Sequence, residues 1–166
     1  EPLSQPEFSF KLLSSFKEKG IHTAVETTGF CPWTALSRIA PVTDLFLYDL
    51  KSVNDDVHRR YTGVSNHRII DNLGKLCGSG NRVQVRVPCI PGLNDAEEQI
   101  GELAAVVAGA GGTSIALLPY NNAASAKYAW IGRPYSLEGL QRRGAEYMEN
   151  LRVLCREAGL DVEIVG

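Results

Sequence analysis

The chain has 166 residues, enough for one domain with a buried core. Hydrophobic residues make up 44%, charged residues 22%, and the formal net charge is −2. No basic field is present to recruit nucleic acid, and no apolar run approaches the ~20 residues of a membrane span. Four cysteines, Cys31, Cys77, Cys89 and Cys155, stand too far apart for a CxxC metal motif or a compact disulfide framework, and read as buried thiols of a reducing, cytoplasmic compartment.

The opening stretch SQPEFSFKLLSSFKEKG predicts a helix with Phe8, Leu12, Leu13 and Phe16 on one face, Pro6 near its start and Gly20 past its end. A strand, IHTAVET (21–27), leads to a short helix, PWTALSRIA, with Trp33, Leu36 and Ile39 at threefold spacing. The strand DLFLYDL (44–50) is followed by NDDVHRRY, whose acids suit a helix N-terminus, and by a helix through Ile69, Ile70, Leu73 and Leu76. After the strand RVQVRVPCI (82–90) comes the turn at Pro91-Gly92 and the helix NDAEEQIGELAAVVAG, with Asn94 or Asp95 as cap and Ile100, Leu103 and Val107 inward. The strand TSIALLPY (113–120) precedes NNAASAKYAWIGRPY (121–135), read as a long irregular loop of the kind that often carries function. A last helix over about 136–158, carrying Leu140, Tyr147, Leu151 and Leu154, and a strand DVEIV (161–165) complete the series.

Strands alternating with helices imply βαβ units, a parallel sheet and an α/β fold. A closed (β/α) barrel takes ~250 residues, so five strands predict an open, partial barrel of the TIM type, with 1–166 as a single domain. Ligands of such sheets sit beyond the carboxyl ends of the strands. Those ends deliver Glu26 and Thr27, then Asp49 and Lys51, then Arg86, then Asn121. Glu1, just before the first helix, would stand at the end of a preceding strand. Taken singly, each is more readily a helix cap or a surface ion pair. Taken together, three carboxylates beside a lysine and an arginine suit a zwitterionic ligand: the acids take an ammonium, a sulfonium or a metal cation, and the bases take a carboxylate.

Five blocks in order, ETTGF (26–30), DLFLYDLK (44–51), YTGVSN (61–66), RVPCIPGLND (86–95) and LLPYN ending at Asn121, carry a family likeness. The chain resembles the glycyl-radical-enzyme activating proteins, which are radical S-adenosylmethionine (SAM) enzymes of the pyruvate formate-lyase activating type. The resemblance implies a [4Fe-4S] cluster that reduces bound SAM to methionine and a 5′-deoxyadenosyl radical, which takes hydrogen from a backbone glycine of a partner glycyl radical enzyme. It also implies flavodoxin or ferredoxin as reductant.

Carried over position by position, the opening EPLSQ resembles the end of a GGEPLLQ block, with Glu1 meeting the methionine ammonium. Glu26 and Thr27 stand near a cation or the methionine end. Asp49 and Lys51 match a DLK triplet, Lys51 meeting the SAM carboxylate. Arg86 takes the arginine of RxPxIPG, near SAM. Asn121 replaces the histidine common in relatives; it can hydrogen-bond ribose or carboxylate but cannot become cationic. The family's CxxxCxxC loop is absent from this sequence, so no cluster ligand is expected in the chain, which reads as the C-terminal portion of a longer enzyme, its barrel open for want of N-terminal units and inactive alone. An open barrel edge would allow self-association. Two other readings stand beside this one. One is a docking module without a cluster. The other is a Schiff-base lyase using Lys51, disfavoured because Asp49 would favour the charged amine over the free amine such chemistry needs.

Overall fold

The computed structural model describes residues 1–166, the side chain of residue 124 excepted. Five strands, Ala24–Thr27 (β1), Leu45–Asp49 (β2), Val83–Cys89 (β3), Ser114–Pro119 (β4) and Asp161–Ile164 (β5), form one parallel sheet in sequence order. Each crossover therefore steps to the adjacent strand, as in a barrel, and the sheet stays open with β1 and β5 at its edges. The helices are Pro6–Glu18 (α1), Trp33–Ile39 (α2), Asp55–Thr62 (α3), His67–Gly78 (α4), Glu97–Gly109 (α5), Ala124–Trp130 (α6) and Ala145–Glu157 (α7). Among the described residues, no helix is long and apolar enough to cross a membrane.

Side chains alternate across a strand, and parallel register puts paired residues on one face. Val25, Phe46, Val85, Ile115 and Val162 share the face covered by helices, where Leu36, Ile39, Leu73, Leu76, Ile100, Val107 and Leu151 complete the core. Tyr48 is fully buried there, and its hydroxyl donates to Ile69 O at 2.7 Å. The opposite, concave face carries Glu26, Leu47, Asp49, Gln84, Arg86, Ala116 and Glu163. Burial alternates residue by residue along the whole of β3.

Four local expectations are corrected. In α1 it is Ser9 and Leu13 that point inward, while Phe8, Leu12 and Phe16 are exposed. The helix packs beside α2 at the β1 end of the sheet, so much of its apolar side meets no described neighbour. Residues 121–135 are not irregular throughout, because the alanine-rich stretch forms α6. The last helix starts at Ala145, not near 136; Gly139, at φ +78°, and Gly144 break the segment, and Leu140 lies in a turn before it. Finally, α5 is preceded by Ala96, and Asn94 and Asp95 are buried for other purposes.

Candidate functional site

The two acids of the apolar segment 43–51 have different fates. At the start of β2, Asp44 accepts from Thr23 N (2.8 Å) and from Lys17 Nζ (2.5 Å). The Lys17 hydrogen bond, then the Thr23 amide, hold its carboxyl down to about 2. It is a structural tie. At the other end Asp49 lies on the concave face, in register with Arg86. Arg86 Nη1 reaches Glu26 Oε2 at 2.5 Å, and Lys51 Nζ reaches Asp49 Oδ2 at 3.3 Å. Two acids and two bases from three adjacent strand ends thus meet along one rim. All four remain open to water, so these pairs add little to stability. What they offer is charge that an incoming ligand can re-pair.

Glu1 is placed differently. Its Oε1 accepts from Thr27 Oγ1 (2.7 Å), and its Oε2 accepts from Thr28 N (3.1 Å) and Thr28 Oγ1 (2.9 Å), which clips the first residues onto the end of β1. Partial burial pushes this carboxyl up, but the hydrogen bonds from Thr27, Thr28 and Leu3 outweigh it and leave the group below its ordinary value of 4.5. A depressed acid contributes stability that is present above 4.5 and lost as pH falls through the lowered folded value. The Thr28 amide should therefore lose protection relative to its intrinsic exchange rate as pH falls through that lowered value, with the strands unaffected, which hydrogen exchange read by NMR would report. Thr27 is buried on the helix-covered side, where its hydroxyl also accepts from Gly29 N at 3.0 Å; it supports Glu1 and does not face the cleft. Asn121 stands apart from the other site residues. Its Oδ1 accepts from Ala123 N at 2.9 Å, and it lines a cavity of about 280 Å³ with Tyr120, Leu140 and Arg142.

Three buried residues that sequence reasoning left out of the site hold the rim in shape. Asn94 donates through Nδ2 to Lys51 O (2.6 Å) and Pro88 O (2.7 Å) and accepts from Ile90 N (2.8 Å), tying the end of β2 to the end of β3. Asp95 accepts from Gly92 N (2.8 Å) and Arg143 Nε (2.7 Å), anchoring the same turn to the segment before α7. Asn72 donates to Gly29 O (2.8 Å) and Cys31 O (2.9 Å), fixing the loop after β1 from α4. For Asn94 and Asp95 the sequence signal was the run Pro-Gly-Leu-Asn-Asp (91–95), which fitted a helix cap equally well; Asn72 gave none.

The cysteines do not gather. Burial pushes the thiols of Cys31 and Cys155 up to about 11 and that of Cys89 up to about 12. Among the described residues, no group of three or more His, Cys, Asp or Glu side chains could hold a metal ion. These residues therefore do not fit an iron–sulfur cluster, which needs converging thiolates.

Residues 1–104 match the family described as the Radical SAM superfamily. The chain belongs to the radical SAM superfamily. It is 41% identical over 135 residues to the isethionate sulfite-lyase activating enzyme of Nitratidesulfovibrio vulgaris, covering 80% of this chain and 44% of that protein. It is 32% identical to the trans-4-hydroxy-L-proline dehydratase activating enzyme of Clostridioides difficile (96% and 54% covered) and 31% identical to the pyruvate formate-lyase 1-activating enzyme of Escherichia coli K12 (96% and 66%). These are the glycyl-radical-enzyme activating proteins that the five sequence blocks resemble. The chain spans about half the length of the curated relatives it matches. A solved domain of pyruvate-formate lyase-activating enzyme from Bacteroides vulgatus superposes with a TM-score of 0.84 at 27% identity, covering 100% of this chain and 94% of that one. The radical SAM partial barrel is thus the architecture of the whole sheet. Membership implies SAM and a [4Fe-4S] cluster. The paired acids and bases of the rim fit the ammonium, sulfonium and carboxylate of SAM; the dispersed cysteines do not fit the cluster.

Proposed function

We propose that the whole protein cleaves SAM reductively and installs a glycyl radical on a partner enzyme, and that this chain, a single domain over 1–166, supplies the seat for the amino-acid end of SAM. The observation that carries the reading is the Asp49–Arg86 register, which sets two ion pairs side by side on the concave face. In this seat Lys51 and Arg86 take the carboxylate, Asp49 and Glu26 take the ammonium and face the sulfonium, and Glu1 holds the loop after β1 at the edge of the seat. Asn121, one strand further on, has its amide N–H groups available toward ribose hydroxyls. When bound, the cofactor supplies a sulfonium that one electron can cleave, and flavodoxin or ferredoxin is the class of electron donor that serves such chemistry. The role of this chain's residues is to orient that group and to keep water away from it. Lys51 as a Schiff-base nucleophile is the weaker reading, because its amine is already paired with Asp49.

Calorimetric titration of the whole protein with SAM tests the seat. A charge-assisted contact is worth about 1.5–3 kcal/mol, so Lys51→Ala should weaken SAM binding by about 10- to 150-fold. An unchanged affinity would make Lys51 the partner of Asp49 and nothing more.

A further inference from the structure

Tyr120 directly follows β4, is buried, and lines the same cavity as Asn121. Its hydroxyl donates to Leu137 O at 3.2 Å and lies 3.0 Å from the Tyr135 hydroxyl. A phenol has one hydrogen and a carbonyl only accepts, so Tyr135 is the donor of the second bond. That bond, above all, pushes the Tyr135 hydroxyl up to about 12, which keeps its hydrogen in place at neutral pH.

The Tyr135 ring in turn meets that of Tyr128 on α6, with centroids 5.0 Å apart and planes tilted by 47°. Tyr128 is 39% exposed, and Trp130, two residues on, is 83% exposed. Three tyrosines therefore stand in unbroken contact from the cavity beside Asn121 to the outer surface of α6. Phenylalanine would fill the same space. What tyrosine adds is a ring that can lose one electron and a phenolic hydrogen that can move with it.

We propose that Tyr120, Tyr135 and Tyr128 form a relay that drains a stray carbon radical from the cleft to the surface of α6. A radical able to take hydrogen from glycine attacks its own cleft whenever the partner's glycine is out of reach. Instead it takes the phenolic hydrogen of Tyr120: one O–H bond breaks, one C–H bond forms, and the unpaired electron is left on the Tyr120 oxygen. The Tyr135 hydrogen is already aimed at that oxygen, so it crosses the existing hydrogen bond and leaves the unpaired electron on Tyr135. Tyr128 then gives an electron through the ring contact and its phenolic proton to water, while Tyr135 recovers a proton from water. At the surface a small thiol gives a hydrogen atom to Tyr128 and becomes a thiyl radical, two of which pair as a disulfide. The source of the radical rests on the function proposed above; conduction along the tyrosines does not.

The test is pulse radiolysis of the full chain in a Trp33→Phe background, where Trp130 is the only indole. Azide radicals oxidise Trp130, and absorbance follows the hole. The indole radical should decay in a phase independent of protein concentration as a tyrosine radical grows in. High-field electron paramagnetic resonance should then find that radical on an oxygen that accepts a hydrogen bond, as Tyr120 would from Tyr135. Tyr128→Phe should abolish the phase, and Tyr120→Phe should keep the phase but remove the hydrogen-bonded signature. Persistence of the phase in Tyr128→Phe, its loss in Tyr61→Phe, or a spectrum indifferent to Tyr120→Phe would overturn the relay. In the whole protein, given SAM and reductant but no partner, Tyr120→Phe should move oxidative damage onto residues of the cleft, read by peptide mass spectrometry. Unchanged damage sites would overturn the draining role. Failure to cleave SAM at all would instead overturn the function proposed above, with radiolysis still deciding the relay.

Discussion

Asn94→Ala is expected to lower folding stability by about 3 kcal/mol, read as a reduced urea midpoint at unchanged slope. The side chain is buried and satisfies three backbone groups at once: the carbonyls of Lys51 and Pro88 and the amide of Ile90. Each buried group left without a partner costs about 1–3 kcal/mol, and relaxation of the turn recovers part of the sum. The change should also reduce affinity for SAM, since the backbone of Lys51 loses its tie to β3 and its amine is no longer held against Asp49. Asn94→Asp should be no gentler, because a carboxylate would face two carbonyl oxygens it cannot bond. A loss below about 1 kcal/mol would show that backbone hydrogen bonds alone hold the turn.

Gly29→Ala should be more damaging, at about 4 kcal/mol or outright failure to fold. Two effects combine at this position. The backbone has φ +68°, where a Cβ is strained. An added Cβ would also lie 1.7 Å from the Tyr48 hydroxyl oxygen, deep in the core. Tyr48 cannot swing away without giving up its bond to Ile69 O, and the loop cannot lift without breaking the pair that Asn72 makes to Gly29 O and Cys31 O. Thermal unfolding of Gly29→Ala, Tyr48→Leu and the double variant separates the two effects. Leucine clears the Tyr48 hydroxyl and ring atoms that would lie 1.7, 2.2 and 2.6 Å from the added Cβ, so Gly29→Ala should cost less in the Tyr48→Leu background, and an equal cost would mean that backbone strain alone sets it.

The strands were legible because each is a short apolar run with turn residues on both sides, and the sheet order followed from their regular spacing. Glu26, Asp49 and Arg86 were legible for the same reason, since the carboxyl ends of parallel strands must converge. The period of two could have gone further: Thr27 follows Glu26 directly, so it cannot share its face, and it supports Glu1 from the covered side. The α1 face was misread because periodicity tells which side of a helix is apolar, not whether a neighbour waits there; Phe8 and Phe16 are apolar and exposed. Asn94 and Asp95 were misread because a capping side chain and a long-range strut use the same chemistry. Nothing local reveals that Lys51 O, 43 residues earlier, will be the partner. A cavity of about 380 Å³ beside Lys51 was illegible in the sequence because its walls come from α3, the turn after β3 and the region around α6, with no shared motif.

The two-sided pleat of the sheet has a consequence for how such sequences can diverge. Gln84, Ala116 and Glu163 can be rewritten to suit a new substrate while Val85, Ile115 and Val162 go on maintaining the interior, so novelty and foldability draw on alternate letters of the same segments. Length is the one property both must respect. A single codon inserted within β2 would swing Tyr48 into the cleft and drive Asp49 under the helices, so drift in size is confined to the connections.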